Sequence, residues 1–168
     1  TKRVFAAWNC RIGTAFSASS SQRQSPAGGL ARKHSDKPLK TFKRGADMEN
    51  VVFISCARTP IGAYGGALKN VPVYRLASVV LQAAVKKAGI DPSQVDDVIM
   101  ASAYQNGECA NGARMAVLDA DWPDTIPGGM IDRRCCSGLE SVYYGALQIQ
   151  TGNADIVIAG GMESMSQG

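Results

Sequence analysis

The chain has 168 residues, of which 45% are hydrophobic and 19% are charged, so its composition is that of a globular protein and excludes an intrinsically disordered chain. No apolar run approaches the roughly 18 residues needed to cross a bilayer, which excludes a membrane-spanning helix. Five cysteines without regular spacing argue against a small secreted scaffold held by disulfide bonds, and they favour a reducing compartment.

Charge divides the chain into residues 1–47 and residues 48–168. The first segment holds ten basic and two acidic side chains, whereas the second holds eight basic and twelve acidic ones. Beyond a short apolar run at residues 4–8, the first segment is rich in Ser, Arg and Gly and has no sustained apolar pattern. We therefore expect residues 1–47 to be an unstructured leader that does not pack, and residues 48–168 to form the folded domain.

Three interpretations of residues 1–47 remain open. The segment is typical of an organellar transit peptide, of upstream sequence read through before a start at Met48, or of a basic arm that contacts nucleic acid or anionic lipid. Its aromatic residues are scattered and it has no recognition motif, so we expect no nucleic-acid partner. The expected location is cytoplasmic, or mitochondrial if the segment is a transit peptide.

The folded part opens with residues 51–54, an apolar and mostly β-branched run that predicts a strand buried on both faces. A loop is predicted at residues 60–72, and its glycines do not match the spacing of a nucleotide-binding loop. Apolar residues then recur at helical spacing from Leu76 to Ala83, and Gly89 is placed to end this helix. Residues 98–100 predict a second buried strand.

The same alternation continues to the end of the chain. The apolar pattern predicts a short helix within residues 111–120, a weaker strand at 126–131, a helix at 135–149 and a strand at 156–159. Strands that alternate with helices indicate an α/β fold with a mostly parallel sheet covered by helices.

Residues 131–141 are the segment that could carry chemistry. If a helix begins near Cys135, its N-terminus favours an anion, and the thiolate is the nucleophilic form of cysteine. Arg133 and Arg134 add positive charge nearby. The alternative is that Cys135 and Cys136 are small, inert, buried side chains, as many cysteines are. A disulfide between the two would be strained, and no cysteine spacing predicts a metal site.

Three segments of the chain resemble the N-terminal part of the thiolases, a family of acyl-CoA acyltransferases. They are residues 57–62 (ARTPIG), 135–139 (CCSGL) and 159–166 (AGGMESMS), in the order that the family has them. The resemblance covers the chain from about Met48 to its end. It implies that residues 48–168 are the incomplete N-terminal half of a thiolase-like fold.

The resemblance also implies a chemistry in fatty acid metabolism, with coenzyme A thioesters as substrates and with neither a cofactor nor a metal. Cys135 would accept the acyl group, and its backbone N–H would help to hold the oxyanion. The acyl group would then pass to a second, deprotonated acyl-CoA to give a 3-oxoacyl-CoA, or the reverse reaction would cleave one. Family members imply a homodimer or tetramer at full length, with the strand at residues 126–131 as the contact.

The sequence departs from the family at two positions and lacks two of its motifs. Cys136 stands where the family usually has Gly, Ser or Ala, and Asp132 stands where it most often has Asn. The Gly-His-Pro motif does not occur, no Cys-x-Gly motif follows the CCSGL segment, and the sole histidine is His34. In the family these two motifs supply the base that activates the nucleophile and the acid or base for the condensation. We therefore expect little turnover from these residues alone. The alternatives are a 3-oxoacyl synthase and a non-catalytic interaction protein with a thiolase fold.

Overall fold

The computed structural model describes residues 3–8, 50–105, 107 and 109–168, and of residues 3–8 it describes the backbone alone. The described residues form five strands, three α-helices and two short 3-10 helices. In chain order these are β1 (Arg3–Trp8), β2 (Val52–Ala57), α1 (Val73–Ala88), a 3-10 helix (Pro92–Gln94), β3 (Asp97–Ala101), α2 (Gly112–Asp119), β4 (Gly128–Ile131), a 3-10 helix (Arg134–Cys136), α3 (Ser137–Gln150) and β5 (Ile156–Gly161).

The strands form one parallel sheet in the order β2-β1-β5-β3-β4. Strand β3 pairs with two neighbours, so that Val98 lies opposite Ile158 of β5 and opposite Gly128 of β4. Parallel neighbours must be joined by crossover connections, and α1, α2 and α3 lie in these connections. The predicted α/β class, with a parallel sheet and helices, is thereby confirmed.

The helices cover the two faces of the sheet. Val98 and Met100 of β3 pack in one core cluster with residues of α1 and α2, whereas Ile99 packs in a second cluster with Ile149 of α3. Successive side chains of a strand point to opposite faces, so β3 is buried on both. This double burial is the reason why residues 98–100 are an uninterrupted apolar run rather than an alternating one.

Strand β2 is less buried than the sequence predicts, since the prediction was a strand buried on both faces. Among its six residues only Ser55 is buried, and the side chain of Phe53 is 61% exposed. The reason is position, because β2 is the outermost strand on its side of the sheet. Helix α1 packs against it, and the Ser55 hydroxyl donates a hydrogen bond to the Ala84 carbonyl of that helix at 2.7 Å.

Strand β1 differs from the expectation that residues 1–47 do not pack. Arg3–Trp8 is a central strand between β2 and β5, and it is parallel to both. The short apolar run at residues 4–8 is long enough for a strand. The polar composition of the rest of the segment is the reason why the sequence did not predict one. Of residues 1–47, all except 3–8 lie outside the described part of the chain, so the three interpretations of this segment remain predictions.

The predicted helix boundaries follow local signals that the structure contains. Helix α1 ends at Gly89, whose φ of 69° is in the left-handed region that glycine adopts without strain. Helix α2 begins after Asn111, whose side-chain oxygen accepts a hydrogen bond from the Arg114 N–H at 3.0 Å. The Asn111 amide also donates to the Gly128 carbonyl at 2.8 Å, which ties α2 to β4. In the described residues no helix is long and apolar enough to cross a bilayer.

Candidate functional site

Cys135 lies in the connection between β4 and α3, at the carboxyl end of the sheet. It is the middle residue of the 3-10 helix Arg134–Cys136, and α3 begins two residues later, at Ser137. The helix therefore starts slightly after its predicted position, and Cys136 rather than Cys135 is its N-cap residue. Both thiols are exposed and neither forms a disulfide bond, which contradicts the alternative that they are buried core residues. Cys135 is therefore accessible from solution.

A sharp backbone turn precedes the thiol. Arg134 has a φ of 53°, in the left-handed region that costs a residue with a side chain roughly 1–2 kcal/mol. Two side chains hold this turn. The Arg134 N–H donates to Asp132 Oδ1 at 2.9 Å, and Ser137 Oγ accepts from the Arg133 N–H and donates to the Arg134 carbonyl, both at 2.6 Å. The local backbone around Cys135 is thus fixed by hydrogen bonds rather than by the helix alone.

We expect Ser137→Ala to lower the free energy of unfolding by about 1–3 kcal/mol, because two hydrogen bonds at a buried position are lost. A matched control is Ser164→Ala, since the buried Ser164 hydroxyl has no hydrogen-bond partner in the described part of the chain. That change should be neutral or stabilising. Urea unfolding of both variants makes the comparison, and equal losses of stability would contradict the role of Ser137.

Arg133 and Arg134 directly precede Cys135 in the chain, and each guanidinium is paired with a carboxylate. Arg133 Nη1 lies 2.7 Å from Glu140 Oε2, and Arg134 Nη1 lies 3.3 Å from Asp132 Oδ2. The Asp132 carboxylate therefore contacts the backbone and the side chain of Arg134. This pairing offsets part of the negative charge that Asp132 brings to a position where thiolases most often have Asn.

Arg134 also reaches a loop on the neighbouring strand. Its Nη1 donates to the Ala103 carbonyl, and its Cζ lies 5.7 Å from the centroid of the Tyr104 ring, within the range of a cation–π contact. This loop follows β3, so the carboxyl ends of β3 and β4 are joined through the Arg134 side chain.

Glu163 joins the carboxyl end of β5 to the same loop. Its carboxylate accepts hydrogen bonds from the Ala103 N–H at 2.7 Å, from the Tyr104 N–H at 3.3 Å and from the Ser102 hydroxyl at 3.4 Å. Glu163 belongs to the motif at residues 159–166, and the motif alone gives it no role. Its position is the signal that could have indicated one, since an acidic residue two positions after a buried strand lies at the edge where parallel sheets build their sites.

The pKa of Glu163 is raised above its ordinary value, chiefly because the half-buried carboxylate is desolvated. Its hydrogen bonds from Ala103, Tyr104 and Ser102 oppose this shift, and the negative charge of Asp132 adds to it. A folded chain whose glutamate has a raised pKa binds the proton more tightly than the unfolded chain does.

A pH dependence of stability follows from this shift. The contribution of Glu163 is fully present below the ordinary pKa of a glutamate and is lost as pH rises through the raised value. We expect the Tm of the wild type, measured against that of Glu163→Gln, to fall as pH rises from about 4 through this range. Circular dichroism melts of both proteins at each pH give the difference. A difference that is constant or rises with pH would contradict the assignment.

Among the other described cysteines, only Cys109 differs from Cys135 in exposure. Cys109 is buried, and burial raises the pKa of its thiol, which disfavours the nucleophilic thiolate. Cys56 is exposed on the edge strand β2. The cavity beside Cys109, with Ser102, Met130, Met162 and Ser164 in its wall, has room for about one water molecule and not for a cofactor. Among the described residues, no three His, Cys, Asp or Glu side chains are grouped to hold a metal.

The third motif segment contacts the loop that follows the first segment and the loop that holds Arg134. Residues 57–62 lead from β2 into a loop, and the N–H of Gly65 in that loop donates to Ser166 Oγ of the third segment at 2.9 Å. The third segment leaves β5 and includes Glu163, which holds the Ser102–Tyr104 loop that contacts Arg134. Hydrogen bonds thus connect the third segment to the residue that precedes Cys135.

Comparison with known proteins identifies relatives of this domain. Residues 51–168 match the family model described as thiolase, N-terminal domain. A protein of Staphylococcus aureus (strain NCTC 8325 / PS 47), named "Probable acetyl-CoA acyltransferase", is 42% identical over 120 residues, which are 71% of this chain and 30% of that protein. The crystal structure of the Bacillus anthracis acetyl-CoA acetyltransferase superposes with a TM-score of 0.63 at 49% identity, over 65% of this chain and 28% of that one. The chain therefore spans about 30% of the length of the curated relative.

Proposed function

Because the chain belongs to the thiolase family, whose N-terminal domain it matches over residues 51–168, we propose that it is an acyltransferase that acts on acyl-CoA through Cys135. The observation that carries this proposal is the position of the Cys135 thiol. It is exposed, it follows a hydrogen-bonded turn, and it lies at the carboxyl end of a parallel sheet, where α/β proteins bind their ligands.

The proposed reaction begins with attack of the Cys135 thiolate on the thioester carbonyl of an acyl-CoA. The carbon–sulfur bond to coenzyme A breaks, coenzyme A leaves as a thiolate that takes up a proton, and the acyl group remains on Cys135. In the second half, a carbanion formed next to the carbonyl of another acyl-CoA attacks this thioester. A 3-oxoacyl-CoA forms and the Cys135 thiolate is regenerated. Reversal of the same steps cleaves a 3-oxoacyl-CoA.

We propose that these 168 residues carry out the first half of the reaction, acylation of Cys135, but not the second half, condensation, at an efficient rate. The described residues contain no histidine, the sequence has no Gly-His-Pro motif, and no Cys-x-Gly motif follows the CCSGL segment at residues 135–139. Each missing acid or base group typically contributes a factor on the order of hundreds or more to the rate. Acylation needs only the Cys135 thiolate, which the missing base would otherwise help to form, whereas the condensation cannot form its carbanion without a base. We therefore expect acylation without efficient condensation.

Coenzyme A release tests this proposal. On mixing the purified chain with excess acetyl-CoA, we expect at most one equivalent of coenzyme A per chain in an initial phase, followed by little further release, as measured by liquid chromatography. Absence of the initial phase would contradict the acyl-enzyme and favour a non-catalytic protein. Sustained formation of acetoacetyl-CoA at ordinary enzymatic rates would contradict the dependence on missing acid and base groups.

We also propose that a chain of the relatives' length forms a homodimer or tetramer through the region of β4. This strand (Gly128–Ile131) is the outermost strand on its side of the described sheet, and an edge strand offers unpaired backbone groups to another chain.

A further inference from the structure

The Glu163 carboxylate fixes a loop rather than a ligand. Three donors of the segment after β3 converge on it, namely two backbone N–H groups and the Ser102 hydroxyl, at 2.7 to 3.4 Å. The donors lie about 60 residues before Glu163 in the chain, so the contact ties the end of β3 to the end of β5. Converging donors need a group that only accepts, and an ionised carboxylate is the side chain that meets this need.

The loop held by Glu163 in turn holds Arg134. Both backbone polar groups of Ala103 take part, because its N–H donates to Glu163 and its carbonyl accepts from Arg134 Nη1. The Tyr104 ring lies beneath the guanidinium at 5.7 Å. Any shift of the loop therefore moves two of the groups that contact the Arg134 side chain, the third being the Asp132 carboxylate.

Arg134 immediately precedes Cys135 and has the strained backbone of the turn. A left-handed backbone at a residue with a side chain persists when the surroundings hold it. The Arg134 backbone is held by Asp132 and Ser137, and its side chain is held by the loop and by the Asp132 carboxylate. A chain of direct contacts thus runs from Glu163 through Ala103 and Tyr104 to the residue beside the thiol.

We propose that Glu163 is a positioning residue for Cys135, which acts by fixing the Ser102–Tyr104 loop that holds Arg134. This inference rests on the proposed function, since it concerns the placement of the thiol for attack on a thioester. In this inference Glu163 acts through the loop and not on the substrate. Asp132 is the charged side chain that faces both Glu163 and Arg134, so it belongs to the same network.

A positioning role predicts a specific kinetic change. In Glu163→Gln the side chain keeps its size, but it has one acceptor oxygen and presents an NH₂ group to a backbone N–H. We expect the rate of single-turnover acetylation of Cys135 at saturating acetyl-CoA to fall roughly tenfold, because displacement of a reacting group slows the chemical step. The acetyl-CoA concentration that gives half the maximal rate should change less than twofold. Glu163→Asp, which keeps the charge but is shorter, should have an intermediate rate.

The matched control is Asp124→Asn, which removes an exposed carboxylate from the loop between α2 and β4 and should keep the wild-type rate. If wild-type Cys135 takes no acetyl group, the proposed function and this inference both fail. If the wild type is acetylated and folded Glu163→Gln matches its rate within twofold, this inference alone fails. Should Glu163→Gln not fold, Tyr104→Leu decides, since Tyr104 is exposed and its ring contacts Arg134. A fall of the same kind supports the inference, and an unchanged rate overturns it.

Discussion

Cys135→Ala is expected to abolish the initial release of coenzyme A from acetyl-CoA, whereas Cys136→Ala retains it. The two residues are adjacent, both are exposed, and both are in the connection between β4 and α3. The difference expected between them rests on the family resemblance and on the turn at Arg134, which directly precedes Cys135. The expected effect is complete loss, because alanine cannot form a thioester. Stopped reactions analysed by liquid chromatography measure the coenzyme A released.

The adjacent pair makes the comparison a controlled one. Both substitutions remove one sulfur atom from an exposed site, so a general effect on the segment should be similar in the two variants. Retention of the initial phase in Cys135→Ala together with its loss in Cys136→Ala would transfer the proposed role to Cys136. Circular dichroism spectra of both variants establish that the fold is retained.

Gly128→Ala is expected to lower the free energy of unfolding by about 3 kcal/mol or more, because a methyl group has no space at this position. A Cβ atom on Gly128 would lie 2.6 Å from the backbone nitrogen of Arg114 and 2.8 Å from the carbonyl carbon of Ala113. These are backbone atoms of α2, which cannot move aside as a flexible side chain can. Helix α2 would have to shift away from β4, and the hydrogen bond between Asn111 and Gly128 would be strained.

Gly129→Ala is the matched control for this prediction. It is the next residue of the same strand, and a Cβ atom there has no other atom within 4 Å. We expect its stability to be unchanged or raised by up to about 1 kcal/mol, since alanine restricts the unfolded chain more than glycine does. Thermal unfolding of the two variants and the wild type provides the measurement. Equal stability of the Gly128 and Gly129 variants would contradict the close approach of α2 to β4.

The helices and strand β3, which has a neighbouring strand on each side, could be predicted because their sequence signals are local. The spacing of Leu76 and its apolar neighbours, and Gly89 after them, define α1 without reference to any other segment. Positions in the sheet could not be predicted in the same way. The burial of β2 depends on which strands lie beside it, and β1 is a strand because it pairs with two segments far along the chain.

The same distinction applies to the candidate site, where the local motif could be predicted and the contacts between distant segments could not. Cys135 was identified from a contiguous motif, and its exposure agrees with the condition that a thioester must reach it. The contacts of Glu163 with the Ser102–Tyr104 loop join residues about 60 positions apart, and no spacing rule predicts them. The left-handed backbone of Arg134 was also not predicted, because arginine has no preference for that conformation and the turn is imposed by Asp132 and Ser137.

The most direct test of the central claim is to locate the acetyl group on the protein. The chain is mixed with acetyl-CoA, quenched in acid and digested, and tandem mass spectrometry of the peptide that contains residues 135 and 136 assigns the modified sulfur from the fragment ions between them. We predict an acetyl thioester on Cys135 in the wild type. An unmodified peptide, or an acetyl group on Cys136 or Cys56 with Cys135 unmodified, would contradict the account.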